Sequence, residues 1–211
     1  MGFLDTLFGR TKPVRPDLDR LFALPSAAVT LQAAAGFTPT GVGSVCFASV
    51  EGGAFAELRD EVRALLDADV RRDDGGAFGE GGQPVEFTRD DHGYTWLVAR
   101  QPAGELSSLV SDLHAVNSVL EGGGFGPQLL CSLVAFREGS ADGQPPSTGR
   151  PPRTLALVYL YKRGTFYPFA PLSDEKRDSS LELQVRAAVG DDLPMEKDLS
   201  RWFPVWGAPG L

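Results

Sequence analysis

The side chains best suited to metal binding or nucleophilic catalysis are few in this chain. Its 211 residues include two cysteines and two histidines, at Cys46, His92, His114 and Cys131. Zinc prefers thiolate and imidazole ligands, so these four residues could form a zinc site if the fold collected them. Structural zinc sites usually draw on closely spaced pairs of ligands, whereas these residues are scattered singly along the chain. The sequence therefore predicts no metal site and no cofactor.

The two cysteines have the sequence surroundings of buried free thiols. Each lies within an apolar run, and neither has the cationic neighbours that activate a thiol as a nucleophile. A small apolar thiol is among the side chains most often buried. We therefore expect both cysteines to remain reduced in the cytoplasm rather than to form a disulfide.

His114 lies beside the apolar seam of a predicted helix, where a hydrogen-bonded boundary histidine is expected. The alternative is an enzyme that uses His114 with Cys131 or Asn117, and it requires these side chains to meet in one pocket. The glycine-rich segment 122–126 follows a helix, whereas a phosphate-binding loop precedes one, so we interpret it as a helix stop and turn. We predict no catalytic residues and no enzymatic activity.

Composition excludes several classes of function. The net charge of −8 disfavours nucleic-acid binding, which requires a basic face. No apolar run reaches the ~18 residues of a membrane-spanning helix. The N-terminus lacks the features of a secretory signal peptide, so a cytoplasmic location is expected.

The elements that would position any site follow a repeated β-β-α order. This order predicts an α+β fold, with an antiparallel sheet and helices gathered on one face. Residues 27–33 are predicted as a strand, although their alanine-rich composition fits a helix equally well. Gly122 is placed to cap the second helix. The predicted units are strands 27–33 and 44–49 with helix 55–66, strands 84–88 and 94–99 with helix 105–121, and strands 128–136, 154–161 and 165–169 with helix 180–189.

We predict one α+β domain over residues 17–211, preceded by a short helix and linker at residues 1–16. Two glycine- and proline-rich stretches, 70–82 and 138–152, are predicted to be mobile loops of that domain. The final segment, 198–211, contains Pro204 and Pro209 and is expected to be non-helical.

The first twelve residues combine an apolar face with basic neighbours. The apolar residues are Phe3, Leu4, Leu7 and Phe8, and the basic residues that follow are Arg10 and Lys12. This pattern is typical of a helix that lies on a membrane surface. Packing of the same face on the protein's own sheet or on a partner helix is equally compatible with it. We predict that these six residues contact a membrane or a partner.

A second candidate contact combines an aromatic hairpin with the C-terminal segment. Its residues are Tyr159, Tyr161, Lys162, Arg163, Phe166, Tyr167, Trp202, Phe203 and Trp206. Pro168 is best accommodated on an edge strand, and an exposed aromatic edge could receive a peptide or a helix. We favour the alternative that the tryptophan-containing segment covers the hairpin.

Five segments resemble the PspAB family of PspA-associated proteins of actinobacteria. They are residues 2–12, 40–47, 113–120, 157–169 and 199–211, so the resemblance spans nearly the whole chain. It implies association with the phage-shock system, in which PspA-type coiled-coil proteins guard the cytoplasmic membrane under envelope stress. The family supplies no catalytic residues. The element order also looks loosely similar to type III secretion chaperone and YbjN-type folds.

From these observations we expect a cytoplasmic adaptor that binds a PspA-type coiled-coil protein near the inner membrane surface. The main alternative is a peptide-binding chaperone of the secretion-chaperone type. That alternative requires a groove that stays open after the tryptophan-containing segment has docked.

Overall fold

A six-stranded antiparallel sheet organises the chain. The computed structural model describes residues 16–48, 53–70, 85–90, 93–139 and 151–211. The sheet has the order β2-β3-β1-β4-β5-β6. Its strands are β1 (Phe37–Ala48), β2 (Val85–Arg89), β3 (Tyr94–Arg100), β4 (Leu129–Glu138), β5 (Thr154–Leu160) and β6 (Thr165–Phe169). A small hairpin of β7 (Pro171–Leu172) and β8 (Lys176–Arg177) follows.

Four α-helices cover one face of this sheet. They are α1 (Leu24–Ala35), α2 (Gly53–Val70), α3 (Leu106–Leu120) and α4 (Ser179–Val189), and a 3₁₀ helix at Leu18–Ala23 leads into α1. Each helix contributes buried apolar side chains to a core shared with that sheet face, such as Leu31, Val62, Leu113 and Val185. The predicted α+β class and the placement of helices on one face are confirmed. The likeness to secretion-chaperone folds stays an expectation.

The predicted strand at 27–33 is wrong, because these residues belong to α1. Leu24, Ala27, Ala28 and Leu31 are buried at helical spacing. Gly36 ends the helix with φ of 68°, a left-handed conformation that suits glycine. The helical alternative was therefore the correct one, and the first unit contributes a single strand to the sheet.

The strand predicted at 44–49 is longer, because β1 already begins at Phe37, and the β7–β8 hairpin was not predicted. The other strands and helices lie within a few residues of their predicted bounds. The strongly apolar β4 is an interior strand between β1 and β5, and Pro168 lies on the edge strand β6. The chain turns between β5 and β6 at residues 161–164.

The predicted cap at Gly122 is also wrong. The chain continues from α3 through a π-helical turn, Glu121–Phe125, and Gly124 is the residue with φ of 85°. A 3₁₀ turn at Gly126–Gln128 follows, so the chain passes through two further turns between α3 and β4.

The second face of the sheet is covered by the C-terminal segment 198–211, which is non-helical beyond a short 3₁₀ turn at Leu199–Arg201. Trp202 and Ala208 are buried there against sheet residues. The Trp202 and Tyr167 rings stack with centroids 6.0 Å apart, and Trp206 meets Phe169 edge-on at 4.9 Å. The segment therefore covers Tyr167 and Phe169 of the predicted hairpin, whereas Tyr159, Tyr161 and Phe166 lie on the helical face.

Several predictions fall on residues that the structure does not describe. They are the N-terminal helix with its six candidate contact residues, His92, and most of the two loops at 71–82 and 140–150. These stay predictions. None of the helices in the described ranges is both long enough and apolar enough to span a bilayer.

Candidate functional site

An open groove of about 590 Å³ lies between the second sheet face and the C-terminal segment. One transverse row of directly opposed residues forms its floor, since Cys46 pairs with Trp96 on one side and with Cys131 on the other. Cys131 in turn pairs with Leu160. The floor therefore crosses four strands, β3, β1, β4 and β5, a distance of about 14 Å at the usual strand spacing.

The two cysteines are free and touch at the centre of this floor. The side-chain hydrogen bond with Cys131, followed by burial, raises the pKa of the Cys46 thiol far above its ordinary value. Cys46 therefore stays uncharged at physiological pH. The middle of the groove is an apolar surface rather than a nucleophilic one.

The C-terminal segment forms the wall of the groove through Phe203, Val205 and Trp206. The Tyr167 hydroxyl donates a hydrogen bond of 2.8 Å to the Phe203 carbonyl and so fixes the segment to the sheet. Because Pro204 follows, the chain stays extended at this point. The Phe203 ring is 58% exposed at the groove mouth.

Charged groups lie at the two ends of the groove. At the β2–β3 turn, the Asp90 carboxylate accepts hydrogen bonds from Trp96 Nε1 at 2.8 Å and from the Tyr94 amide at 2.9 Å. At the other end, Lys162, Arg163 and Arg201 line the mouth. Three of the four charged side chains that line the groove are therefore cationic.

The cationic end is held in place by carboxylates that lie behind it. Glu196 pairs with Arg163 and accepts a 2.9 Å hydrogen bond from Thr165, and Arg201 pairs with Asp198 at 3.1 Å. Burial raises the pKa of Glu196, but the hydrogen bonds from Arg163, the Asp198 amide and Thr165 outweigh it and leave that pKa lowered. Lys162 is exposed on the β5–β6 turn.

The family model of PspA associated protein B matches residues 1–210. The chain belongs to the PspA associated protein B family. The resemblance seen in five sequence segments is therefore confirmed, and the family's description associates its members with PspA. No curated protein and no solved structure is significantly similar to the chain.

In this member of the PspA associated protein B family, the predicted second contact is divided between the two sheet faces. Tyr159, Tyr161 and Phe166 are buried among the helices. The residues that reach the groove are Lys162, Arg163, Tyr167, Phe203 and Trp206, while Trp202 is buried beside them. The sequence alone did not predict that the floor residues lie together. The only sequence feature that pointed to them was the alternation of side chains along each strand, which assigns Cys46 and Cys131 to one face of their strands.

In this PspA associated protein B chain, the side chains of His114, Asn117 and Cys131 do not meet in one pocket. His114 contacts Asp19 at 3.3 Å and the Phe22 ring at 4.8 Å, on the outer side of α3. Asn117 points toward the sheet and donates to Ser132 Oγ at 2.8 Å. Cys131 faces the opposite side of the sheet. Among the described residues, no group of three or more His, Cys, Asp or Glu side chains could hold a metal ion.

The helical face of this family member carries a second unusual surface, which the sequence analysis missed. Four exposed residues, Phe22, Ser26, Val29 and Ala33, recur at three- and four-residue intervals from the 3₁₀ helix into α1. We call them the α1 stripe. Its large apolar members are 50% exposed at Phe22 and 69% exposed at Val29. The signal in the sequence was the helical alternative for residues 27–33, which places these positions on one side.

Proposed function

We propose that this protein is a cytoplasmic adaptor of the PspA membrane-stress system. In this proposal it binds a PspA-type coiled-coil protein near the inner face of the cytoplasmic membrane, and no catalytic step is assigned to it. The observation that carries the proposal is the exposed α1 stripe, in a chain whose family is described by its association with PspA.

The α1 stripe has the geometry with which one helix contacts another. Residues spaced by three and four positions form a row along one side of a helix, and coiled-coil helices present their apolar residues at the same spacing. From Phe22 to Ala33 the row extends for about 17 Å, or three helical turns. It contains no charged residue. A charge does lie beside it, because the Asp192 carboxylate accepts a 2.8 Å hydrogen bond from Ser26 Oγ. A partner helix that buries Phe22 and Val29 would therefore need a polar or basic group facing Asp192.

The sequence upstream of the stripe supports the same proposal. Phe3, Leu4, Leu7 and Phe8 precede it by about a dozen residues, and Arg10 and Lys12 follow them. We propose that these residues extend the contact with the partner or bind anionic lipid. Two helical turns bury too little apolar area to hold a protein on a membrane alone, so a lipid contact would act together with PspA binding.

Retention on an immobilised PspA-type protein tests this function. The comparison uses the intact chain, a variant lacking residues 1–12 and Val29→Glu. Val29 is largely exposed, so its replacement should preserve the fold while placing an unpaired carboxylate in the contact. We expect Val29→Glu to reduce affinity on the order of tenfold or more. Leu172→Glu, an exposed apolar position on the β7–β8 hairpin, is the matched control.

Flotation with anionic liposomes separates partner binding from lipid binding. Loss of flotation alone in the variant lacking residues 1–12 would assign that segment to lipid. If PspA retains the intact chain, Val29→Glu and the truncated chain equally, then neither the α1 stripe nor residues 1–12 is the contact with PspA.

The peptide-binding chaperone is less well supported, although the open groove meets its first requirement. An extended peptide would need backbone partners. The floor strands already have hydrogen-bonded neighbours on both sides.

A further inference from the structure

We propose that the groove beneath the C-terminal segment binds one long-chain carboxylic acid, with the alkyl chain across Cys46 and Cys131 and the carboxylate at Lys162. This ligand site is separate from the α1 stripe and does not depend on PspA binding.

The floor and wall of the groove match an alkyl chain in their chemistry. The floor is the row Trp96, Cys46, Cys131 and Leu160, and the wall is Val205 and Trp206 with Phe203 at the mouth. The raised pKa of Cys46 keeps the centre of this surface uncharged. Transfer of apolar surface from water onto such a lining is favourable by roughly 25 cal/mol per Å².

The backbone of the floor selects against a peptide. All four floor strands are flanked by hydrogen-bonded neighbours, because β2 and β6 are the outer strands of the sheet. A peptide laid across them would leave buried N–H and C=O groups without partners, which costs free energy. An alkyl chain has no such groups.

The size of the groove agrees with a small ligand. Its 590 Å³ lies within the ~300–1,000 Å³ range of small-molecule sites. The floor is about 14 Å long, and a single linear alkyl chain can lie across it.

The charges at the two ends orient the ligand. Asp90 at the β2–β3 turn disfavours a carboxylate there, whereas Lys162, Arg163 and Arg201 surround the opposite end. The two arginines already pair with Glu196 and Asp198. Lys162 lies exposed on the turn, and its flexible ammonium group is therefore the one we assign to the ligand carboxylate.

The three tryptophans provide an intrinsic reporter for this site. Trp96 and Trp206 line the groove, and Trp202 stacks on the lining residue Tyr167. Palmitate added to the full-length protein below its micelle-forming concentration should produce a saturable change in tryptophan fluorescence. Calorimetry should give one palmitate per chain.

Two substitutions test the position of the ligand. Cys131→Phe fills the centre of the floor and should abolish saturable binding. Leu130→Phe, at a half-buried lining position, repeats this test if circular dichroism shows that Cys131→Phe does not fold. Lys162→Ala should weaken palmitate binding on the order of tenfold, the loss of one charge-assisted contact. Lys176→Ala on the β7–β8 hairpin should leave it unchanged.

The neutral alcohol hexadecanol tests the carboxylate assignment. It should bind on the order of tenfold more weakly than palmitate and be insensitive to Lys162→Ala. Equal affinity for both compounds would overturn the assignment of the head group. Absent or unsaturable palmitate binding, or binding unaffected in Leu130→Phe, would overturn the site. Retention of PspA that is lost in Leu130→Phe, without palmitate binding, would instead assign the groove to protein.

Discussion

Glu196 shows how a buried charge is stabilised behind the groove mouth. It is 2% exposed, yet its pKa lies below the ordinary value of 4.5 because its hydrogen bonds outweigh burial. The folded protein therefore keeps this carboxylate charged at pH values where the unfolded chain binds a proton. Its contribution to stability is complete above about pH 4.5 and is lost as the pH falls through the lower, folded-state pKa.

We expect Glu196→Gln to lower the free energy of unfolding at neutral pH by about 1–3 kcal/mol. The loss should shrink as the pH falls from about 4.5 through the lower, folded-state pKa, because the wild-type contribution is lost over that range. Urea unfolding followed by circular dichroism across this range measures both effects. Glu57→Gln, an exposed position on α2, is the control. A constant difference between wild type and Glu196→Gln at every pH would contradict this account.

Arg177 connects three parts of the molecule. Its Nε donates to Glu182 at 2.9 Å, its Nη1 donates to the Trp202 carbonyl at 2.7 Å, and its guanidinium lies over the Phe169 ring. Glu182 is 2% exposed and also accepts a hydrogen bond from the Ala170 amide. Burial raises the pKa of Glu182 despite these partners.

Arg177→Met should destabilise the protein by about 3–5 kcal/mol, because it leaves a buried carboxylate without its cation. Adding Glu182→Gln should restore part of that loss, since the amide is neutral. Thermal unfolding at pH 7 measures both variants. Lys176→Met, the exposed neighbour, should change little. If the double variant is no more stable than Arg177→Met, the loss does not come from the stranded charge.

At the scale of elements, the bulge in β1 depends on Gly41. The register of β1 against β4 shifts between Pro39 and Gly43, and Gly41 has φ of 78°. A Cβ atom at Gly41 would lie 2.0 Å from the Gln101 carbonyl oxygen. The Gly41 carbonyl also accepts a 2.9 Å hydrogen bond from the Gln101 amide. The backbone approaches too closely here for any other residue.

Gly41→Ala should therefore cost several times more than Gly36→Ala. Gly36 also has a positive φ, but a Cβ atom there would meet nothing within 4 Å. Its substitution should cost only the backbone penalty of about 1 kcal/mol. Urea midpoints of the two variants provide the comparison. Equal losses would show that the β1 bulge relaxes around the added methyl group.

The sequence predicted individual helices and strands better than it predicted how they are arranged in space. The apolar run of β4, interrupted only by Ser132, and the three- and four-residue spacing of α3 were sufficient to place both elements. The run 27–33 was ambiguous because an alanine-rich sequence shows little hydrophobic periodicity. In the structure it is helical, and Leu24 and Leu31 are buried on one side of the helix. At Gly122 the helix continues into a π-helical turn, and the left-handed glycine conformation occurs two residues later, at Gly124.

The groove could not have been predicted from strand alternation alone. Alternation places Cys46 and Cys131 each on one face of its own strand. Only the register of β1 against β4 brings the two side chains directly opposite each other. That register depends on the β1 bulge and on strand order, which are non-local properties. The amphipathic pattern of residues 1–12 is clear in the sequence, but these residues lie outside the described part of the structure.

At the scale of the whole molecule, the two sheet faces are covered by different means. Helices close one face, and an extended segment of 14 residues covers the other. Trp202 is 5% exposed at the centre of that segment, and its Nε1 donates to the Glu196 carbonyl at 3.2 Å. Trp202 therefore holds much of the C-terminal segment against the sheet.

Trp202→Ala should reduce the free energy of unfolding by about 3–5 kcal/mol, the usual cost of a large aromatic truncation in a core. It should also increase binding of the dye ANS, because the second sheet face becomes accessible. Leu199→Ala, at an exposed position of the same segment, should do neither. Unchanged dye binding in a destabilised Trp202→Ala protein would mean that the segment stays docked without its tryptophan.

The contact between the Cys46 and Cys131 thiols allows local opening of the structure to be measured by chemical labelling. The uncharged Cys46 thiol is a poor target for alkylating reagents at neutral pH. It should be modified mainly when β1 and β4 separate enough to break its hydrogen bond with Cys131, so that the thiol regains ordinary acidity. The time course of iodoacetamide labelling, followed by mass spectrometry, would then measure how often β1 and β4 separate at the floor of the groove.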